Sequence, residues 1–332
     1  MLNAQSLIGQ AAQDAKAPNY TAQGLTKLQT ILDALCFKHD LGLARGVYYF
    51  TLNPSQTTTV NGVTNFSGPY PLPLDYLRTS GSSGSEGVQK SFFYYFNGVP
   101  YFLRPRDLGY GDTNVQQAGL QSLPYEYWTD VSPESTIGNR IEGTTTASTT
   151  LNSAVINVAS AANMRVGQGV SGDGIAPGSM IATGGISGTA ITLTLPAVAT
   201  FGATSGPGSA GIMFGLPVNA FIYPGSSGAF PATLRYQRLM PPVADQARVP
   251  WFTDQEFLLE QLTARLMVTT DDTRREEMEA VSAKMLADYK VFSEDTTSRA
   301  QTVILDVNRF SSGGRRNRSW NRLRTTKNIG WP

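Results

Sequence analysis

Apolar residues recur at helical spacing near each end of the chain. Near the start, five residues lie three or four positions apart and share one helix face: Leu25, Leu28, Leu32, Leu35 and His39. Thr21 is the predicted N-cap of this helix. The Ala-rich stretch from Leu2 to Ala15 predicts a shorter helix before it, which ends ahead of Pro18.

The second helical region begins with a capping-box sequence, Thr253-Asp254-Gln255-Glu256, between Phe252 and Phe257 in staple positions. An apolar stripe then repeats at every fourth residue: Leu258, Leu262 and Leu266. A second stripe follows the acidic turn at Asp271-Asp272: Met278, Val281, Met285, Tyr289 and Phe292. Two helices joined by a short turn predict an antiparallel pair, which would form a small bundle with the N-terminal helices.

Between these regions the pattern is that of β-structure. Ser91–Arg104 places Asn97-Gly98 between two aromatic runs, which predicts a hairpin with a tight type I′ turn. Further strands are predicted at "RGVYYFTL", "PYPLPLDYLR", "PVNAFIYP" and "ATLRYQRL".

The predicted hairpin carries aromatic residues on both faces of its first strand. Phe92, Tyr94 and Phe96 share one face, and Phe93 and Tyr95 share the other. In a sheet with one solvated side, aromatic residues are expected on the buried side only. Because both sides of this strand are aromatic, we expect the second face to be covered as well. Another layer of the same chain is the expected cover, and a neighbouring subunit is the alternative.

Residues 143–211 differ in composition from the rest of the chain. They contain only two charged residues, Arg165 and Asp173, and one aromatic residue, Phe201. Thr, Ser, Ala and Gly dominate, and β-branched runs alternate with glycine-rich turns. This composition and this alternation of runs and turns predict a small inserted β-sandwich or barrel. The predicted class is therefore α+β, with core segments 1–142 and 212–298, an insert at 143–211 and a C-terminal arm at 299–332.

The sequence contains no recognisable combination of catalytic residues. Gly167–Gly172 matches G-x-G-x-x-G, but the glycine- and proline-containing stretch after it has no helical period, so we interpret it as turn residues. His39 and Cys36 are the only histidine and cysteine, and both are interpreted as structural. We predict no enzymatic activity, no cofactor and no metal. The start of the chain lacks the features of a signal peptide, and no apolar run is long enough to span a membrane.

Charge is distributed unevenly along the chain. Residues 1–298 carry 18 basic and 24 acidic residues, a net charge of −6, whereas residues 299–332 carry eight basic residues and one acid, Asp306, a net charge of +7. We predict that this basic arm docks on a neighbouring subunit through the following residues: Arg309, Arg315, Arg316, Arg318, Trp320, Arg322, Arg324, Lys327, Ile329 and Trp331. A nucleic-acid arm, with arginines on phosphates and tryptophans on bases, is the alternative. The β-prone run at 302–310 is suited to adding to a sheet edge of another chain.

Residues 1–140 and 213–332 resemble the head-to-tail adaptor (connector) proteins of short-tailed bacteriophages. The resemblance rests on "PLPLDYLR" (Pro71–Arg78), followed by "GVPYFLR", and on the order helix, β region, helix pair and basic arm. It implies a ring, usually of twelve copies, between the portal and the tail nozzle in the virion neck. In that family the ring assembles in the host cytoplasm, and double-stranded genomic DNA passes through it without sequence readout.

The insert departs from the minimal adaptor plan and resembles small β modules of virion proteins. It would face outward, towards capsid, fibres or host surface. Other candidate functions are a nozzle or fibre-attachment protein, a tail-associated glycan-binding or glycan-degrading protein suggested by the insert, and a DNA-binding protein suggested by the arm.

Overall fold

The chain has a mixed α+β fold, with helices and several antiparallel sheets. The computed structural model describes residues 2–17, 19, 21–39, 41–60, 63–79, 91–106, 120–130, 140–206, 208–243, 247–267 and 274–290. Two compact units are present, Met1–Ser282 and Ala283–Pro332. Of the second unit, only residues 283–290 are described.

The described residues include four α-helices: α1 (Ala4–Asp14), α2 (Thr21–Lys38), α3 (Gln255–Leu266) and α4 (274–290). The first three contact one another pairwise. Gly24 of α2 lies against Ile8 of α1 so closely that a Cβ there would approach Ile8 Cγ2 to 2.3 Å, which explains a glycine inside a helix. None of the described helices is both long enough and apolar enough to cross a membrane.

The N-terminus of α3 differs by one residue from the capping-box prediction. Asp254, and not Thr253, is the N-cap, and its Oδ1 accepts a hydrogen bond of 3.1 Å from the amide of Phe257. A carboxylate competes well with a hydroxyl for this position, because it also meets the positive end of the helix dipole. Phe252 and Phe257 nevertheless contact each other, with ring centroids 5.4 Å apart.

The second predicted apolar stripe lies on α4 but is not fully buried. Val281 is exposed, and Met278 and Met285 are partly buried. The fully buried residue of α4 is Ser282, whose hydroxyl accepts a hydrogen bond from Gln261 of α3. Asp271, Asp272 and Phe292 lie outside the described residues.

Two sheets enclose the main hydrophobic core. The first contains β1 (Arg45–Leu52), β5 (Tyr76–Thr79), β6 (Phe92–Phe96), β7 (Val99–Phe102) and β19 (Phe230–Arg238). The second contains β4 (Tyr70–Pro71), β8 (Arg104–Pro105), β10 (Glu126–Thr129) and β17 (Asn219–Tyr223). In the first, β19 pairs with β1 on one side and with β5 and β6 on the other, and β7 pairs with β6. Buried residues of both sheets form one cluster, which includes Tyr94, Tyr127, Ile222 and Leu234.

Short strands complete this region: β2 (Thr58–Val60) pairs with β3 (Val63–Asn65), and β9 (Gln121–Ser122) with β18 (Gly225–Ser226). The Asn-Gly hairpin prediction is confirmed, since Asn97 and Gly98 both have positive φ, 51° and 78°. The prediction of one strand across "PYPLPLDYLR" is wrong. The run divides into β4 and β5 because its prolines cannot donate to a ladder, and the amide of Tyr76 closes a turn onto the carbonyl of Pro73.

A third sheet forms the module predicted as an insert. Its six strands are β11 (Ile141–Ser148), β12 (Val155–Val158), β13 (Gly169–Gly172), β14 (Ile181–Ser187), β15 (Ala190–Leu193) and β16 (Ala210–Gly215). They form one antiparallel sheet in the order β13-β16-β11-β12-β15-β14, and a bridge between Gly169 and Met180 joins its two ends. The sheet therefore curls around its own core of small and branched residues.

The module begins and ends at paired strands and is attached to the rest of the chain. Ile141 pairs with Gly215, so its two connections lie side by side. Met213 packs into a cluster with Cys36 and Leu74 of the main body. Asp173 of the module accepts a hydrogen bond from Arg248, whose guanidinium lies 4.2 Å from the ring centroid of Phe201. The module is thus held to the main body by apolar packing and by an ion pair.

Candidate interaction surface

The outer face of the first sheet is aromatic and open to solvent. Strand alternation places Phe92, Tyr94 and Leu234 in the core, so their neighbours point the other way. We call this outer surface the open face, and it comprises Val47, Tyr49, Thr51, Phe93, Tyr95, Phe102, Pro231, Thr233 and Arg235. Among the described residues, Tyr49, Tyr95 and Phe102 of this face are exposed, whereas Phe93 and Thr233 are buried. The expectation that other parts of the chain cover the face stays a prediction.

Cross-strand register aligns the open face into rows. Tyr49 of β1 lies opposite Thr233 of β19, which lies opposite Phe93 of β6, and Phe93 lies opposite Phe102 of β7. Within this row Phe93 is buried, whereas Tyr49 is 74% exposed and Phe102 is 45% exposed. A single apolar row therefore crosses four strands, with a buried ring in the middle and exposed rings at both ends.

Aromatic and cation–π contacts around Phe93 connect the side chains in the central part of the open face. The ring of Phe93 meets those of Tyr95 and Phe102 at centroid distances of 5.6 Å each, the first at an interplanar angle of 81°. The guanidinium carbon of Arg235 lies 5.7 Å from the Phe93 centroid, within cation–π range. The rings of Tyr95 and Phe102 and the guanidinium of Arg235 therefore all pack on Phe93.

A groove of about 530 Å³ runs over β1, β19 and β6. The described residues that line it are Val47, Tyr49, Phe50, Thr51, Phe93, Tyr95, Pro231, Ala232, Thr233 and Arg235. Arg235 is the one charged side chain in this lining. The groove is therefore apolar with hydroxyl groups and a single cation, a chemistry that suits an apolar partner carrying a carboxylate.

A buried charge cluster supports the same sheet from the core side. Asp75, from the "DYLR" run, is 1% exposed. Its Oδ1 accepts a hydrogen bond from the Tyr236 hydroxyl at 3.1 Å, and its Oδ2 accepts one from Arg238 Nε at 2.6 Å. Burial and then the charge of Asp75 raise the pKa of Tyr236, so its hydroxyl stays a donor. This cluster ties the segment before β5 to β19, the central strand of the sheet.

Arg235 and Asp75 are the residues that sequence reasoning missed. In "ATLRYQRL" the alternation of Thr233 and Arg235 with Leu234 and Tyr236 signals one polar and one apolar face, which is where the structure places them. No comparable signal in the sequence indicated the partners of Asp75, because Tyr236 and Arg238 lie more than 160 residues away from it in the sequence.

The predicted docking residues of the arm all lie outside the described residues: Arg309, Arg315, Arg316, Arg318, Trp320, Arg322, Arg324, Lys327, Ile329 and Trp331. Their role stays a prediction. His39 follows the end of α2 and is partly exposed, and its carbonyl accepts a hydrogen bond from Gln237 Nε2. Cys36 is buried, and burial raises the pKa of its thiol to about 11. Within the described part of the chain, no group of three His, Cys, Asp or Glu residues is arranged to hold a metal ion.

The G-x-G-x-x-G run occupies a turn and a strand. Gly167 has a φ of 85°, Gly169 begins β13 and Gly172 ends it with a φ of 153°. No helix follows among the described residues up to β14, so the run lacks the helix N-terminus that a pyrophosphate needs.

A scan against protein-family models finds no match to this chain, and a search of the curated proteins finds none either.

Proposed function

We propose that the protein is a structural component of a bacteriophage virion, a head-to-tail adaptor that forms a ring between the portal and the tail nozzle. In this proposal the helices form a bundle in the ring wall, the third sheet is the inserted domain, and genomic DNA passes through the bore. The arm at 299–332 lies on a neighbouring or portal subunit, and the protein acts in the neck of the virion after assembly in the host cytoplasm.

The open face is the observation that carries the proposal. It presents exposed aromatic rings on a sheet whose other face is already buried, and such a surface is characteristic of protein association. A second support is the "DYLR" run: its aspartate ties the segment before β5 to β19, so the resemblance rests on residues that organise this same sheet. The acidic body and the basic arm add complementary charge for contacts between copies.

Deleting residues 311–332 should leave a soluble protein that no longer joins portal rings. The deletion removes the two tryptophans of the arm, Trp320 and Trp331. Their burial must offset a backbone ordering cost of roughly 1–2 kcal/mol per residue. Mass photometry and negative-stain images of the protein, alone and mixed with portal protein, measure the result.

One further variant and a DNA-binding assay separate the possible roles of the arm. Replacing Trp320 and Trp331 with alanine should reproduce the deletion, because the proposal assigns the anchoring to these rings. Unchanged assembly of the deleted chain would contradict the docking role. Retardation of duplex DNA by the full chain, with a steep dependence on salt that the deletion abolishes, would favour the DNA-binding alternative.

A further inference from the structure

We propose that the open face receives Thr302–Phe310 of a neighbouring copy, with the carboxylate of Asp306 on the guanidinium of Arg235. The proposal rests on the proposed function for the neighbouring copy, and it names the surface on which the first part of the arm lies.

Arg235 determines the charge that a segment bound to the open face must carry. It is exposed, it lines the groove and it lies over the ring of Phe93. Among the described residues, no carboxylate forms an ion pair with it. A partner that covers this face desolvates the guanidinium, so it must supply a negative charge to avoid a large penalty.

The arm contains one residue that meets this requirement. Asp306 is the only acid in residues 299–332. The strip from 311 onward carries six basic residues and no acid, so Arg235 would repel it. Charge therefore selects the stretch around Asp306 over the rest of the arm.

The sequence around Asp306 also has the right shape for an open sheet face. In an extended segment alternate residues point the same way, so Ile304, Asp306 and Phe310 share one side with the polar Thr302 and Asn308. That side offers two apolar groups to the aromatic rows and one carboxylate to Arg235. Nucleic acid fits less well, because a phosphate backbone calls for several cations and the described lining of the groove supplies one.

A disulfide cross-link in the full chain tests the placement. Tyr95→Cys combined with Ile304→Cys puts one thiol on the open face and one on the segment. Native Cys36 does not compete, because it is buried and its raised pKa disfavours the reactive thiolate. The matched control is Leu151→Cys with Ile304→Cys, since Leu151 is apolar and 53% exposed but lies on a turn of the third-sheet module.

Under mild oxidation the Tyr95 pair should give covalent dimers and higher species on a non-reducing gel, several-fold more than the Leu151 pair. Arg235→Glu or Asp306→Lys, added singly, should each lower the cross-linked fraction about tenfold, and the two together should restore it. A yield equal to the control, a cross-link confined to one chain, or indifference to both charge changes would overturn the proposal.

Mass photometry of the unaltered chain distinguishes this inference from the proposed function. Absence of any assembly contradicts the ring itself. Normal rings without the Tyr95 cross-link contradict only the placement of Thr302–Phe310. Binding of a single-stranded oligonucleotide that Tyr95→Ala abolishes would also overturn the placement, because it would identify the groove as a base-stacking site.

Discussion

Replacing Asp75 with alanine should lower the free energy of unfolding by about 3–5 kcal/mol, the range for breaking a buried ion pair by removing one partner. Asp75 is buried and accepts hydrogen bonds from Tyr236 and Arg238. Its loss leaves a buried hydroxyl and a largely buried guanidinium without their acceptor. Urea denaturation followed by circular dichroism measures the change.

Two variants serve as controls for Asp75→Ala. Tyr236→Phe removes only the neutral hydrogen bond and should cost about 1 kcal/mol. Glu279→Gln breaks the exposed i,i+4 pair with Arg275 on α4 and should change stability by less than about 0.5 kcal/mol. A loss at Asp75 no larger than that at Glu279 would show that the cluster does not organise the sheet.

Replacing Gly172 with alanine should destabilise the third sheet by about 2–5 kcal/mol, which combines backbone strain with overpacking. Gly172 has a φ of 153°, and a Cβ there would lie 2.2 Å from the carbonyl oxygen of Gly211 on the neighbouring segment. Both obstacles are backbone, so no rotamer change relieves them. Thermal unfolding of the full chain, followed by near-ultraviolet circular dichroism and hydrogen exchange within 141–215, measures the effect.

Gly188 provides the comparison for Gly172. It also has a positive φ, 60°, but the space around its missing Cβ is open. Alanine there should cost about 1–2 kcal/mol, from the left-handed conformation alone. Equal effects at the two positions would mean that the close approach to Gly211 contributes nothing.

Local signals in the sequence predicted the elements that local physics determines. Asn97-Gly98 specifies its turn because both residues tolerate positive φ, and "RGVYYFTL" coincides with β1 because aromatic and β-branched residues fit a half-buried strand. The apolar stripe of α3 is buried as predicted, while its cap moved by one residue because Asp254 offers a stronger acceptor than Thr253.

Contacts between residues far apart in the sequence were harder to predict from the sequence. The alternation of Phe92 to Phe96 showed that both faces of β6 are aromatic, but coverage depends on which other elements pack there. Among the described residues, Tyr95 and Phe102 of the second face are exposed, whereas Phe93 is buried. The pairing of Asp75 with Arg238 joins residues 163 positions apart, so no window of sequence contains it. The composition of residues 143–211 indicated β-structure, whereas the strand order of the six-stranded sheet follows from pairings such as β11 with β16.

We expect the terminal arm to be stable only when it lies against another polypeptide. Electron cryo-microscopy of the assembled ring, alone and on the portal, provides the test. The maps should show density for residues 299–332 along a neighbouring chain, with Thr302–Phe310 over β1, β19 and β6 and Trp320 and Trp331 in contact with protein. Arms that end free in solvent, or that fold back onto their own subunit, would contradict it.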